Sequence, residues 1–252
     1  MLALMLAAGT GERLGPDRPH LPKALLRFGG QSLLARHVAI LRHFGVARLV
    51  ITKGYRAEMI DAELGALAVD GFAETVLNPD YCAGSLLSLW ALRSHLQSGS
   101  ELLLMDADVL YDHRLMAGLL GSAHANCFLL DRGFEPGDEP VKLGVCDGRL
   151  VDFERRLDTP CDYCGESVGF FRFSPELGIR LVDAMAGYVS AGRTDIWYEA
   201  AIRDVLRASP PGTFGWEDVT GLPWIEIDFP EDVERARRDI LPRLQALPEE
   251  PR

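Results

Sequence analysis

Lysine is nearly absent from this chain: of its 26 cationic side chains only Lys23, Lys53 and Lys142 are lysine. Either this is a compositional accident, or a compact ammonium is kept where a site needs a point charge. Cations as a whole are outnumbered, 26 against 37 acidic side chains, for a net charge of −11. Without a basic excess, general attraction to nucleic acid or anionic lipid is excluded unless arginine is focused in one cleft. No apolar run reaches the roughly 20 residues needed to cross a bilayer, and Met1 to Ala8 carries no basic leader. The expectation is a cytoplasmic protein without nucleic acid or membrane as a partner.

Cysteine is also sparse. Five in 252 residues, an odd count, exclude a disulfide scaffold and suit a reducing compartment. The one C-x-x-C, Cys161-Asp-Tyr-Cys164, lacks the second ligand pair of a structural zinc site and the following helix of a thioredoxin-like one. It is expected as small side chains in a loop before a strand. The six histidines form no H-E-x-x-H pair and there is no G-x-S-x-G elbow, which excludes zinc and serine hydrolase chemistry.

What is present is an alternation of apolar runs with helical patterns. Leu2 to Leu6, Arg48 to Thr52, Glu74 to Leu77 and Glu101 to Met105 read as strands. Leu33 to Phe44, Arg56 to Leu67 and Ser85 to Leu96 read as helices. Nearly all-apolar strands suit a parallel sheet covered on both faces. From about Asn126 the pattern changes to short strands (Cys127 to Leu130, Val141 to Val145, Leu150 to Phe153, Ser167 to Phe173). Helices then follow at Pro175 to Tyr188 and Ile196 to Arg207, and a strand at Trp224 to Ile227 feeds a last helix at Pro230 to Leu241. Pro248 to Arg252 reads as a frayed tail. The expected fold class is α/β, a doubly wound, mostly parallel sheet of Rossmann-like type with a smaller α+β part. It is one domain over 1–252, nucleotide-binding mainly in 1–125 and acceptor-binding mainly in 126–252.

The first strand runs into Ala7-Ala8-Gly9-Thr10-Gly11-Glu12-Arg13-Leu14-Gly15, where glycines let backbone N–H groups approach a phosphate. A Walker A loop would end in Gly-Lys-Ser/Thr, which is missing. A dinucleotide fingerprint would open a helix, which Pro16, Pro19 and Pro22 forbid. What remains is a long phosphate loop flanked by two cations, Arg13 and Lys23.

This opening resembles the L-x-A-A-G-x-G-x-R-L and Pro-Lys signature of nucleotidyltransferases of the sugar-nucleotide pyrophosphorylase type. The resemblance extends to Asp106-Ala107-Asp108, Lys142, Gly165-Glu166-Ser167-Val168-Gly169-Phe170 and Glu226-Ile227-Asp228. The ordered set is similar to the cytidylyltransferase branch that loads phosphocholine, phosphonates or inositol phosphate onto CMP. That likeness implies a Mg²⁺-dependent transfer of CMP from CTP to a small phosphorylated acceptor, with release of pyrophosphate. By resemblance, Arg13 and Lys23 hold the triphosphate, Lys142 neutralises the acceptor phosphate, and Asp108 and Asp228 hold Mg²⁺. Ala7, Ala8, Gly9, Gly11 and the loop Asn78 to Ser88, including Ser85, surround the nucleotide, with Asp106 beside them.

A neutral acceptor, inositol phosphate or a sugar 1-phosphate, is the alternative, as is a non-catalytic nucleotide sensor on the same fold. A cationic head group is favoured because Glu166, Asp195, Trp197, Tyr198 and Glu199 offer carboxylates and aromatic faces. Read singly, these residues are also ordinary. Asp195 would cap a helix starting at Ile196, Trp197 would pack in the core, Asp228 would cap the last helix, and Asp106 and Asp108 would merely end a strand.

Overall fold

The computed structural model describes residues 1–15, 20–135, 137 and 139–248. Pro16, Pro19 and the tail beyond Pro248 lie outside the described residues. The chain builds one nine-stranded sheet fed from both ends of the sequence. Leu102–Asp106, Leu2–Ala7, Arg48–Lys53 and Ala73–Leu77 lie side by side and parallel. Tyr163–Phe173 then joins antiparallel to Leu102–Asp106, followed outward by Lys142–Cys146 and Arg149–Glu154. Cys127–Asp131 pairs with Tyr163–Phe173 and carries Gly215–Asp218.

The period of two along each strand decides which core a residue enters. In Leu2–Ala7, Ala3, Met5 and Ala7 join a cluster with Leu34, Val38 and Leu41 of helix Leu33–His43. Leu2 and Leu4 point the other way, into a cluster with Leu177, Leu181 and Met185 of helix Pro175–Ser190. Both faces being covered, the three inner parallel strands are largely buried, whereas the edge strand Ala73–Leu77 has no buried residue. The second core is rich in aromatics: Phe171 meets Phe128, Phe153 and Phe173 at centroid separations of 5.2, 5.8 and 5.7 Å.

Helix starts follow their caps. Ser32 accepts from the Ala35 N–H, Asp112 from Arg114, and Ser174 from Leu177, the last ahead of Pro175 at the first turn. The expected helix over Ser85 to Leu96 is two, Ser85–Ala91 and Arg93–Leu96, broken where Leu92 leaves helical geometry at φ −91°, ψ 8°. The helix expected from Ile196 begins instead at Glu199, because Ile196 is used otherwise: its carbonyl accepts from Leu86 N. Asp195 therefore caps nothing. The final helix stops at Arg235 and continues as a π-helical turn, Ala236–Ile240.

Strand order explains where a site can form. The chain leaves Leu2–Ala7 for neighbours on one side, then returns to place Leu102–Asp106 on the other, so their loops diverge at the carboxyl ends. Such a switch point is where open α/β sheets bind ligands. The phenylalanine cluster behind it carries the second core. Phe171→Ala is expected to lower unfolding free energy by about 3–5 kcal/mol, as truncation of a buried aromatic does, measured by denaturant unfolding.

Candidate active site

Asp106 and Asp108 follow directly from the end of the central strand. A two-stranded ribbon brings the remaining acids to them: Trp224–Glu226 pairs antiparallel with Val109–Tyr111, setting Glu226 opposite Val109. One step on, Ile227 N donates to Asp108 O at 3.0 Å. Glu226 and Asp228, two residues apart, thus share one side beside Asp108, and oxygens of all three carboxylates lie within 4.8 Å of one another.

The cation at this centre is Lys23. Pro22 leads into a single 3-10 turn, Lys23–Leu25, which Ala24 and Leu25 anchor in the core. From there Nζ donates to Asp108 Oδ2 at 2.9 Å and Asp228 Oδ1 at 2.6 Å. Burial pulls Lys23 down, but the two carboxylates outweigh it and hold its pKa above the usual lysine range. Arg13 approaches from a neighbouring 3-10 turn whose Leu14 is buried, donating to Asp228 Oδ1 at 2.6 Å and Glu139 Oε2 at 3.0 Å. Gly11 is required between them. Its φ is +65°, and a Cβ there would lie 3.3 Å from Lys23 Cγ.

Asp106 sits deeper. Burial, then Asp108 and Glu199, push its carboxyl well above the normal carboxylate range, and the Tyr198 hydroxyl donates to it at 2.7 Å. Gly169, at φ +80°, lets the strand Tyr163–Phe173 pass over it, since a Cβ would meet Asp106 Oδ2 at 2.5 Å. Glu199 is pushed up to about 7, chiefly by burial, and among the described residues its Oε2 has no hydrogen-bond partner. Glu226 is likewise raised by burial of its carboxyl end and by Asp108 and Asp228.

These groups border two cavities that meet at Glu226. The first, about 400 Å³, is lined by Ala7 to Arg13, Lys23, Tyr81 to Ala83, Ser85, Asp106, Asp108 and the segment Trp197 to Glu199. The second, about 560 Å³, has Asp131, Glu139, Glu166, Trp224, Asp228 and Asp232 among its walls. The sequence reading therefore assembles in part. Ala7, Ala8, Gly9, Gly11, Arg13, Lys23, Ser85, Asp106 and Asp108 converge on one cavity, and Asp228 joins them through Lys23.

The proposed cation box does not assemble. Trp197, Tyr198 and Glu199 face the first cavity and Glu166 the second. Trp197 is 49% exposed rather than in the core, with the Arg155 guanidinium 4.2 Å from its ring centroid. Tyr198 is buried. Lys142 is not brought to the acid cluster: its ammonium donates to the carbonyls of Gly137 and Arg155, each at 2.7 Å. Lys53 ends its strand in an ion pair with Asp61. Glu226 was missed as a functional residue, although Glu-x-Asp on a strand already places two carboxylates on one face. Arg155 and Glu139 were missed too, and nothing local in the sequence signals them.

The sequence profile of the MobA-like NTP transferase domain matches residues 3–148. The chain belongs to that family. Among proteins similar to this MobA-like chain is the CMP-5'-(3-aminopropyl)phosphonate synthase of Streptomyces rubellomurinus, 28% identical over 93% of this chain and 38% of that one. A bifunctional IPC transferase and DIPP synthase of Rubrobacter xylanophilus is 29% identical over 95% of this chain and 52% of the other. The MobA-like chain thus spans only about 38–52% of the length of these relatives. A solved structure, the inositol-1-phosphate CTP transferase from T. maritima, shares the fold with a TM-score of 0.74 at 21% identity, over 96% of this chain and 95% of that one. The CTP:phosphocholine cytidylyltransferase from Streptococcus pneumoniae gives 0.68 at 18%, over 93% and 96%. Among the described residues no helix of this MobA-like chain is long and apolar enough to cross a membrane.

Glu166 supplies a pH test. Burial, then Asp131, push it from 4.5 to about 7, against Arg235 and Lys142. The folded state therefore binds a proton that the unfolded state has lost between these values, and stability falls as pH rises through that window. Glu166→Gln, always neutral, removes the loss. Its melting temperature should exceed wild type above pH 7 and converge on it below 4.5, read by thermal scans across pH.

Proposed function

We propose that the chain transfers CMP from CTP to a small phosphorylated or phosphonate acceptor with a cationic head group, releasing pyrophosphate. The observation that carries this reading is the triad Asp108, Glu226 and Asp228 at the junction of two cavities, crossed by Lys23. Nucleotide in the first cavity and acceptor in the second would meet at that junction. The phosphonate synthase relative, whose name couples CMP to an amine-bearing phosphonate, supports both the nucleotide and the head group.

The all-oxygen donor set fits Mg²⁺, a hard cation usually held by one or two carboxylates together with substrate phosphates. Asp108 and Asp228 would hold it, with Glu226 as the third oxygen donor. Bound there, the ion would supply positive charge to the phosphates. The protein's own work is positioning. Backbone N–H groups from Gly9 to Gly11 face the triphosphate, and Arg13 and Lys23 follow its charge onto the leaving pyrophosphate. An acceptor oxygen, ionised at neutral pH, forms its bond to the α-phosphorus as the bond to the β-phosphate oxygen breaks, so no general base is needed. The first half of the chain serves mainly the nucleotide and the second mainly the acceptor. Lys142 serves as a positioning residue that pins the loop carrying Glu139. The second cavity, with Asp131, Glu166 and Asp232 beside Trp224 and Phe229, suits an ammonium better than a polyol.

Lys23→Ala and Asp108→Ala should each lower kcat by roughly 10²–10³-fold, as when a donor to developing phosphate charge is removed, while melting curves remain cooperative. Near-normal turnover with Mg²⁺ in either variant overturns the assigned roles. Across four nucleotides, pyrophosphate release should be fastest with CTP, the cytosine amino group being distinguished from the uracil carbonyl by pairing with the pocket backbone. Among acceptors, phosphocholine, phosphoethanolamine and 2-aminoethylphosphonate should surpass inositol phosphate and glucose 1-phosphate in kcat/KM. The reverse order would move the chain to a neutral acceptor.

A further inference from the structure

Three of the four cysteines of the second half, Cys146, Cys161 and Cys164, lie on or beside one pair of strands. Lys142–Cys146 and Tyr163–Phe173 pair antiparallel with Cys164 opposite Gly144 and Tyr163 opposite Val145. The next step sets Cys146 beside Asp162, whose N–H donates to Val145 O at 2.7 Å. Paired residues of adjacent strands project to the same face, so Cys146, Asp162 and Cys164 share one side. Gly144 leaves room on that side for Leu157, Cys161 and Asp152: a Cβ at Gly144 would lie 3.3 Å from Leu157 Cδ1, 3.5 Å from Cys161 Cβ and 3.6 Å from Asp152 Cβ. At the following turn Asp147, at φ +49°, donates its N–H to Asp162 Oδ2 at 2.8 Å. One donor atom each from Cys146, Asp147 and Asp162 then lies within 4.8 Å of the others.

We propose that Cys146, Asp147, Asp162 and Cys161 form a binding site for a thiophilic divalent cation of the zinc class. A thiol-and-carboxylate set is wrong for Mg²⁺, which takes oxygen ligands, and right for zinc. Bonds of about 2.0–2.3 Å in tetrahedral array separate ligands by roughly 3.5 Å, so donors within 4.8 Å need move only slightly to close on an ion. Among the described residues neither Asp147 nor Asp162 forms an ion pair, Arg203 being paired instead with Asp152, Glu154 and Asp158. Binding would release one proton from each thiol as it becomes thiolate. Cys164, on the same face, is the adjoining thiol.

Cobalt(II) titration of the full chain tests this, because thiolate ligation gives a charge-transfer band that oxygen ligands at the acid triad do not. The expected result is a thiolate-to-cobalt band saturating near one equivalent, displaced by Zn²⁺ and retained in Cys82→Ser, which removes the exposed cysteine. The band should fall in intensity and apparent affinity in Cys146→Ser, which leaves Cys161 as the one proposed thiolate, and weaken several-fold in apparent affinity in Asp162→Asn, which keeps the oxygen that accepts from Asp147. Circular dichroism checks each fold, and the exposed Asp162 decides if the cysteine variant does not fold. A chain without any such band, a band unmoved by both substitutions, or one abolished by Cys82→Ser overturns the proposal. Pyrophosphate release has no part in the readout, so failure here leaves the proposed transferase reading untouched.

Discussion

The arrangement depends on holding several carboxylates together at the carboxyl end of one strand. Two unit negative charges 4.8 Å apart repel by roughly 3 kcal/mol at an effective dielectric near 20. Asp108, Glu226 and Asp228 form three such pairs, with Asp106 behind them. The structure answers in two ways. Lys23 and Arg13 put positive charge on Asp108 and Asp228, and the acids farther from these cations, Asp106 and Glu226, are pushed toward the protonated form. The carboxyls are thus sorted by which of them a cation reaches: Asp108 and Asp228 are paired, whereas Asp106 and Glu226 are pushed up.

That sorting ties the two ends of the chain together. Arg13 and Asp228 are 215 positions apart, Lys23 and Asp228 205. Neither partner makes sense alone, since an acid-rich ribbon without the loop would be repulsive and the cationic loop without the ribbon would be unpaired. The loop is held by buried Leu14, Ala24 and Leu25, and the ribbon by Ile225 and Ile227. Leu14, Ile225 and Ile227 pack in one small apolar cluster. Hydrophobic contact beneath the site thus positions the charges above it, and no flexible linker is asked to do so.

Much of this was legible from local pattern. The apolar runs marked the three inner parallel strands, because burial on both faces leaves no alternation to misread, and the proline-broken glycine loop marked the cavity that Arg13 and Lys23 line. What escaped depends on partners distant in sequence. Trp197 reads as an aromatic wall for an ammonium, with core packing as the alternative; it is instead half exposed, with the Arg155 guanidinium over its ring. Arg155 reaches it from the strand hairpin, and no periodicity encodes that contact. Lys142 was legible as an unusual lysine but not as one whose ammonium is engaged by backbone carbonyls, because that depends on where the carbonyls of Gly137, Pro140 and Arg155 lie. The helix beginning at Glu199 rather than Ile196 follows from the carbonyl of Ile196 accepting from Leu86 N, a tertiary demand that local propensity does not contain.

The different geometry of lysine and arginine explains how the cations divide their work. Arg13 presents a planar fork and so bridges outward, one arm on Asp228 and the other on Glu139, which also accepts from Arg155 at 2.8 Å. That chain of charges joins the glycine loop to the rim of the second cavity and to Trp197. A guanidinium at position 23 would be too broad to stand between Asp108 and Asp228, both of which the compact ammonium touches within 3 Å. The stem of Lys23 lies along Gly11, where a Cβ would come within 3.3 Å of Lys23 Cγ. Scarcity of lysine elsewhere is then consistent with a chain that uses arginine to brace and keeps its point charge for the centre.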